Sequence, residues 1–183
     1  MRQALASLSI LVVLAVGVTR PVFAATCWEP PVTAPVVDPY RPPACPWCPG
    51  NRGLTFGTSP GAVVRAVAAG WVTFAGSVAG TLYLVVELGN GWRVTYGNLG
   101  ELTVGDGDVV VAGMLLGHAA GAFHFGLRDR VEAGADAYLD PTPHLGVWRH
   151  RARLIPTDGA PAAPAPEPTL HCPGPGAAAP TWR

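Results

Sequence analysis

Lysine is absent from this 183-residue sequence, in which all 12 basic residues are arginine. Without lysine, the chain has no ε-amine for Schiff-base chemistry and no attachment point for biotin or lipoic acid. Charged residues make up only 13% of the chain, and the 12 basic and 12 acidic side chains give a formal net charge of zero. We therefore expect no chain-wide attraction to nucleic acid, and we do not predict a nucleic-acid partner.

Long amphipathic helical patterns are also missing, because 23 glycines and 20 prolines divide the chain into short segments. Between residues 63 and 139, short runs rich in Val, Leu, Thr and aromatic residues are separated by glycines, including Asn90-Gly91. This pattern is typical of β-strands joined by tight turns, so we predict an all-β domain. The clearest predicted strands are residues 63–67, 71–75, 82–88, 92–96, 109–111, 115–117 and 122–128.

The N-terminal segment, residues 1–24, has the pattern of a secretory signal peptide. It has the basic residue Arg2 near its start, continues through an apolar run at 8–18 and ends at a small-residue site. A transmembrane anchor is less favoured because the run is short and Arg20 interrupts its end. A lipid anchor on Cys27 is also less favoured. We predict an extracytoplasmic or secreted protein with no stable membrane insertion after cleavage of the signal.

Four cysteines follow this segment, at Cys27, Cys45, Cys48 and Cys172. An exported chain meets oxidising conditions, so two disulfides are expected, and three connectivities are open. We favour a local Cys45–Cys48 bridge and a Cys27–Cys172 bridge between the two ends. A redox site at Cys45 and Cys48 is less favoured because no βαβ pattern surrounds it, and a zinc knuckle would lack further ligands.

Composition divides the mature chain into three parts. Residues 25–50 are rich in proline and contain the CxxC motif, which predicts an extended arm. Residues 51–148 form the predicted β-core. Residues 149–183 are dominated by proline and alanine, which predicts a disordered tail except where Cys172 holds it.

The run at 122–128 predicts a strand with two different faces, because side chains alternate along a strand. One group is apolar and is expected to enter the core: Phe123, Phe125 and Leu127. The other group is small or polar and is expected to face away from it: Ala122, His124, Gly126 and Arg128.

Over about residues 38–146 the sequence resembles the M23 peptidase family of lysostaphin-type or LytM domains. Gly107-Asp108-Val109-Val110-Val111-Ala112-Gly113-Met114-Leu115-Leu116-Gly117 is similar to the family segment G-D-x-V-x-x-G-x-x-[IL]-G. Tyr96-Gly97-Asn98-Leu99 stands where the family has Tyr-x-His-[Leu/Met], and residues 122–125 stand where it has His-x-His-Phe. The resemblance implies an antiparallel β-sheet with glycine-rich hairpins and an open groove.

The resemblance also implies where a catalytic zinc site would lie. The family binds zinc through His-x-x-x-Asp and the second histidine of His-x-His, and two further histidines assist the reaction. Here the first motif falls on Asn51 and Thr55, and the two assisting positions are Asn98 and Ala122. Only His124 is retained, so four of the five positions differ. Because zinc prefers imidazole and carboxylate ligands, we predict no bound cofactor and no peptidase activity.

A binding function remains, because backbone and turns form such a groove. We predict that Tyr96, Asn98, His124, Arg128 and Arg52 line it, and that the partner is peptidoglycan or a cell-wall hydrolase. One alternative is an active zinc metalloendopeptidase with a rearranged site that uses His118 and His124 with Glu87 or Asp106. Another is a secreted structural or interaction domain whose proline-rich ends bind other proteins.

Overall fold

The computed structural model describes residues 27–45, 47–130, 136–149, 164 and 167–173. The predicted signal peptide lies outside the described residues. Within them, no helix is long and apolar enough to cross a membrane. The elements are β1 Val36–Asp38, β2 Gly53–Phe56, β3 Val63–Arg65, β4 Gly70–Val78, β5 Thr81–Leu88, β6 Trp92–Leu102, β7 Val109–Val110, β8 Leu115–Arg130, β9 Asp136–Leu139, a 3-10 helix at Thr142–His144, β10 Val147–Arg149 and β11 Thr169–His171.

One large antiparallel sheet contains nine of these strands and confirms the predicted all-β fold. Its order is β1-β2-β8-β6-β5-β4-β7, and β3 and β9 also pair with β8. The central strand is β8, whose 16 residues pair with β6 along one side and with β2, β3 and β9 along the other. Strands β10 and β11 form a separate antiparallel pair.

Tight turns join the central strands where the sequence predicts them. The β4–β5 hairpin turns at Ala79 and Gly80, whose φ angles of 50° and 83° are both positive, as a type I′ turn requires. The β5–β6 connection contains Asn90-Gly91, where the Gly91 amide donates to the Leu88 carbonyl at 3.0 Å. These short connections keep consecutive strands antiparallel and adjacent.

The hydrophobic core lies on one face of the large sheet. Alternation places Val94 and Tyr96 of β6 beside Phe123 and Phe125 of β8, all at most 1% exposed. Tyr96 is therefore a core residue, and its predicted place in the groove is wrong. Its hydroxyl accepts a hydrogen bond from the Val67 amide at 3.1 Å, which satisfies the buried oxygen.

Two predicted strands are one strand in the structure. Residues 115–117 and 122–128 both belong to β8, which pairs with β6 on either side of a register shift between Gly97 and Leu99. Strand β2 was not predicted, since Gly53–Phe56 is short and follows proline-rich sequence. Its partner β8 stabilises it through four residue pairs.

The proline-rich arm packs against the core, and the two disulfides are the favoured pair, Cys45–Cys48 and Cys27–Cys172. Trp28 is 3% exposed, and its backbone amide donates to the His144 carbonyl at 2.7 Å. In the tail, residues 169–171 form β11 directly before Cys172, the position that was expected to be held by a disulfide. Most of the remaining tail lies outside the described residues.

Candidate functional site

An open groove of about 870 Å³ lies on the sheet face that is opposite the core. Strands β4, β5, β6, β8 and β9 contribute to it, together with the segment that precedes β2. Its lining residues are Gly50, Asn51, Arg52, Thr73, Phe74, Val78, Tyr83, Val85, Arg93, Thr95, His124, Gly126, Arg128 and Tyr138.

Strand pairing aligns side chains of the groove face into three rows that cross the sheet. Neighbouring rows are two residues apart along each strand, so they share one face. The histidine row contains Tyr83, Gly97, His124 and Thr55. The glycine row contains Val85, Thr95, Gly126 and Gly53. The arginine row contains Glu87, Arg93, Arg128 and Tyr138.

His124 occupies the space that two glycines leave open. A Cβ atom at Gly53 would lie 2.9 Å from His124 Cε1, and one at Gly126 would lie 3.4 Å from its Nε2. Burial lowers the pKa of His124 from its ordinary value of 6.5, and the carboxylate of Asp38 opposes this effect. The imidazole is therefore mostly neutral at pH 7.

Asn51 and Thr55, the first two positions of the expected ligand motif, hydrogen-bond to each other. The Asn51 Nδ2 donates to Thr55 Oγ1 at 3.2 Å and to the Asp38 carbonyl at 3.1 Å. The Asn51 Oδ1 accepts from the Gly53 amide at 3.2 Å. Thr55 also pairs directly with His124 across β2 and β8. The fold thus brings Asn51, Thr55 and His124 together, as the family motif implies.

Asn98 and Ala122 lie beside the groove and contact each other. Asn98 forms an irregularity in β6 with a positive φ of 59°, and its Nδ2 donates to the Ala122 carbonyl at 2.7 Å. The amide of Asn98 is thereby directed at the β8 backbone. Neither residue is among the described residues that line the groove, in contrast to Arg52, His124 and Arg128, which are.

The residues at this site do not fit zinc. The described part of the chain contains no group of three or more His, Cys, Asp or Glu residues that could hold a metal ion. Asn51 and Thr55 offer neutral oxygens that take part in local hydrogen bonds, and zinc prefers imidazole, thiolate and carboxylate donors.

The carboxylates of the alternative metal site are engaged elsewhere. Glu87 accepts from Arg93 Nε at 3.0 Å, and Asp106 accepts from the backbone amide of Ala75. His118 lies 3.4 Å from Glu101, its cross-strand neighbour, through Nδ1 and Oε2. Among the described residues, Glu87, Asp106 and His118 therefore do not form a metal-binding group with His124.

Residues 49–133 match the family model described as peptidase family M23. This segment is similar to domains of peptidase family M23. It contains the groove positions from Asn51 to Arg128, including His124. The prediction from the sequence resemblance is therefore confirmed at the level of family and fold. No match was found among curated proteins.

Solved structures share the M23 fold at low sequence identity. Helicobacter pylori Csd3 is 19% identical with a TM-score of 0.55, over 73% of this chain and 38% of that one. A chain of the SpoIIQ–SpoIIIAH pore-forming complex is 17% identical with a TM-score of 0.52, over 63% and 89%. The catalytic domain of the prophage-encoded M23 protein EnpA from Enterococcus faecalis is 20% identical with a TM-score of 0.50, over 62% and 95%. The chain thus spans well under half the length of Csd3.

Several groove residues were not predicted from the sequence, among them Arg93 and Tyr138. The alternation of β6 carried a signal for Arg93, because Arg93, Thr95 and Gly97 are polar or small and alternate with core residues. Tyr138 had no comparable local signal. Its place in the groove depends on the pairing of β9 with the C-terminal half of β8.

Proposed function

We propose that this M23 domain works outside the cytoplasm as a binding module for peptidoglycan peptides and lacks zinc-dependent peptidase activity. The observation that carries the proposal is the hydrogen bond between Asn51 and Thr55, which occupies two of the family's three ligand positions. A single imidazole, His124, faces this pair across β2 and β8. Such a donor set supports polar recognition better than metal chemistry.

The groove itself supports the binding part of the proposal. Its floor is formed by the sheet, and its lining combines polar side chains such as Thr95 and Arg128 with apolar ones such as Val85. An open, mixed polar and apolar groove of this kind suits a peptide. The two disulfides and the signal pattern at residues 1–24 support an extracytoplasmic location, where cell-wall peptides are found.

Metal analysis of the mature protein, combined with restoration of the ligands, tests the loss of zinc. We expect the wild-type protein to bind no stoichiometric zinc. The double variant Asn51→His/Thr55→Asp should gain one zinc per chain, because both new side chains would stand beside His124. The single variant Thr55→Asp is the matched control and should bind far less tightly. Circular dichroism checks that each variant is folded.

Stoichiometric zinc in the wild-type protein, together with chelator-sensitive cleavage of wall peptides, would overturn the proposal and establish the active enzyme instead.

Sedimentation with purified peptidoglycan tests the binding function. We expect the mature chain to sediment with the insoluble wall and to remain in solution without it. A chain that stays soluble in both cases contradicts peptidoglycan binding. Capture of an envelope hydrolase in the same assay would assign the groove to regulation of that enzyme, and binding that depends only on residues 149–183 would favour the interaction-domain alternative.

A further inference from the structure

A closed loop, residues 41–51, leads directly into the groove. Its two ends form an antiparallel bridge, in which the Arg41 amide donates to the Asn51 carbonyl at 2.9 Å and the Asn51 amide donates to the Arg41 carbonyl at 2.9 Å. Asn51 and the residues on either side of it, Gly50 and Arg52, belong to the groove lining. The loop therefore borders the groove at its C-terminal end.

The loop is restrained along its length. The Cys45–Cys48 disulfide closes its middle, where the Cys48 amide also donates to the Cys45 carbonyl at 3.1 Å. Gly50 packs so closely that a Cβ atom there would lie 2.7 Å from the Arg41 carbonyl oxygen. Prolines at positions 42, 43, 46 and 49 restrict the backbone further. Little conformational freedom remains to be lost when such a loop binds a ligand.

Trp47 stands between the two bridged cysteines and is 94% exposed. The other exposed tryptophans of the described chain, Trp71 and Trp148, are only 44% and 45% exposed. Tryptophan is highly buried on average, because its ring carries a large apolar surface. A restrained loop that holds this ring in water therefore presents a flat aromatic surface to a ligand.

The composition of the loop indicates the class of ligand. Arg41 is its only charged residue, and the Asp38 carboxylate accepts from the Arg41 guanidinium at 2.9 and 3.1 Å. A segment that binds an anionic membrane ordinarily contains several basic residues, which this loop lacks. A tryptophan that anchors a protein partner ordinarily lies within a wide contact surface that excludes water.

A sugar ring requires neither of these features. The C–H groups on one face of a pyranose ring carry a weak positive charge, and they pack flat against the negative face of an aromatic ring. A single exposed indole suffices for this contact. Among these classes of ligand, the loop is best suited to a sugar.

We propose that the loop at residues 41–51 binds the wall glycan, with Trp47 stacked on a sugar ring while the groove holds the attached peptide. The proposal rests on the function proposed above and adds the sugar as a second part of the ligand. Trp47 and Asn51 are four residues apart, so their Cα atoms lie within about 14 Å of each other. Because each wall peptide is joined to the glycan, one stretch of peptidoglycan can contact both surfaces.

Titration with a peptide-free glycan tests the loop separately from the groove. The probe is a tetramer of β-1,4-linked N-acetylglucosamine, and isothermal titration calorimetry measures its affinity. We expect the wild-type protein to bind the tetramer, and we expect Trp47→Ala to weaken the affinity by about tenfold or more, because the stacking ring is lost. Trp47→Phe retains a smaller ring and should keep part of the affinity.

Trp148→Ala is the matched control, because Trp148 is a partly exposed tryptophan of β10, outside the loop. It should leave the affinity for the tetramer unchanged. Absence of tetramer binding by the wild-type protein would overturn the proposal. Equal losses from Trp47→Ala and Trp148→Ala would overturn it as well, since the effect would then not depend on the loop.

The double variant Cys45→Ser/Cys48→Ser retains Trp47 and removes the restraint on it. We expect an affinity between those of the wild-type protein and Trp47→Ala, because the freed loop loses more conformational entropy on binding. An unchanged affinity would overturn the role given to the disulfide. Sedimentation with phosphatidylglycerol vesicles that depends on Trp47, in a protein that does not bind the tetramer, would assign the loop to a lipid surface instead.

Sedimentation with intact peptidoglycan separates this proposal from the function on which it rests. Wall binding that Trp47→Ala leaves intact, together with no binding of the tetramer, overturns the glycan-binding loop alone. Absence of wall binding by the wild-type protein overturns the proposed function, and the tetramer titration then decides the loop independently.

Discussion

The two faces of β8 differ in how closely they are packed. On one face, Phe123, Phe125 and Leu127 are all 0% exposed and fill the core. On the other face, His124 and its neighbours stand over glycines and border an open groove. Packing on the core face requires large side chains, whereas the groove face borders open space and does not. A fold can therefore persist while the chemistry on its groove face is replaced.

Truncation of a core side chain should have the largest effect on the free energy of unfolding. Phe125 is fully buried and packs edge-on against Tyr96, with ring centroids 5.6 Å apart. We expect Phe125→Ala to lower the free energy of unfolding by about 3–5 kcal/mol, because it removes buried apolar surface and leaves a cavity. Urea denaturation of the oxidised protein measures the change. His124→Ala is the control on the opposite face and should cost less than about 1 kcal/mol. Similar losses for the two variants would contradict the assignment of the faces.

Gly53 and Gly126, which pair across β2 and β8, differ in the space available for a side chain. A Cβ atom at Gly53 would lie 2.3 Å from the Phe125 carbonyl oxygen, so strands β2 and β8 would have to move apart. A Cβ atom at Gly126 would lie at least 3.4 Å from its neighbours. We expect Gly53→Ala to lower the free energy of unfolding by about 1–3 kcal/mol, as overpacking does.

Gly126→Ala should change the free energy of unfolding by less than about 0.5 kcal/mol and should weaken binding to peptidoglycan instead, because the methyl group enters the groove. Thermal unfolding and sedimentation with purified peptidoglycan measure the two effects. A larger destabilisation from Gly126→Ala than from Gly53→Ala would contradict the geometry.

The pH dependence of stability gives the smallest expected effect. Burial lowers the pKa of His124, so the unfolded chain takes up a proton at a higher pH than the folded chain does. The contribution of His124 is therefore complete above pH 6.5 and is lost as the pH falls from there through its lower folded pKa. His144, beside Trp28 and Trp92, has a pKa that burial lowers in the same way.

We expect the free energy of unfolding to fall between pH 7 and pH 5, and we expect His124→Gln to reduce that slope. His144→Gln serves as the matched comparison at a site outside the groove. An unchanged slope in His124→Gln, measured by urea denaturation at each pH, would show that its ring is solvated in the folded state.

Local pattern predicted much of this fold. The alternation in residues 122–128 predicted which residues of β8 enter the core, and cysteine positions with proline-rich ends favoured the observed disulfides. The same alternation, applied to β6, would have placed Tyr96 in the core beside Val94. The prediction for Tyr96 instead followed its position in a family motif, which carries no information about the face on which a side chain lies.

The composition of the groove could not be predicted in this way. Arg93 and Arg128 are 35 positions apart in sequence, and only the register of β6 on β8 makes them neighbours. Arg52 joins them through Tyr138, which belongs to β9. Local sequence does not specify such register, because it is set by the packing of the whole core.

The Cys27–Cys172 bridge makes the intervening chain a covalent ring with a sequence separation of 145 residues. A ring of this kind responds to proteolysis differently from an open chain. One cut at any peptide bond between the two cysteines would open the ring without dividing the molecule, so the product would keep its mass, apart from one added water, until the disulfide is reduced. Any exopeptidase that trims the two ends would likewise meet a crosslink before it reaches the sheet. In an environment rich in secreted hydrolases, this closure would let a nicked domain keep both of its parts.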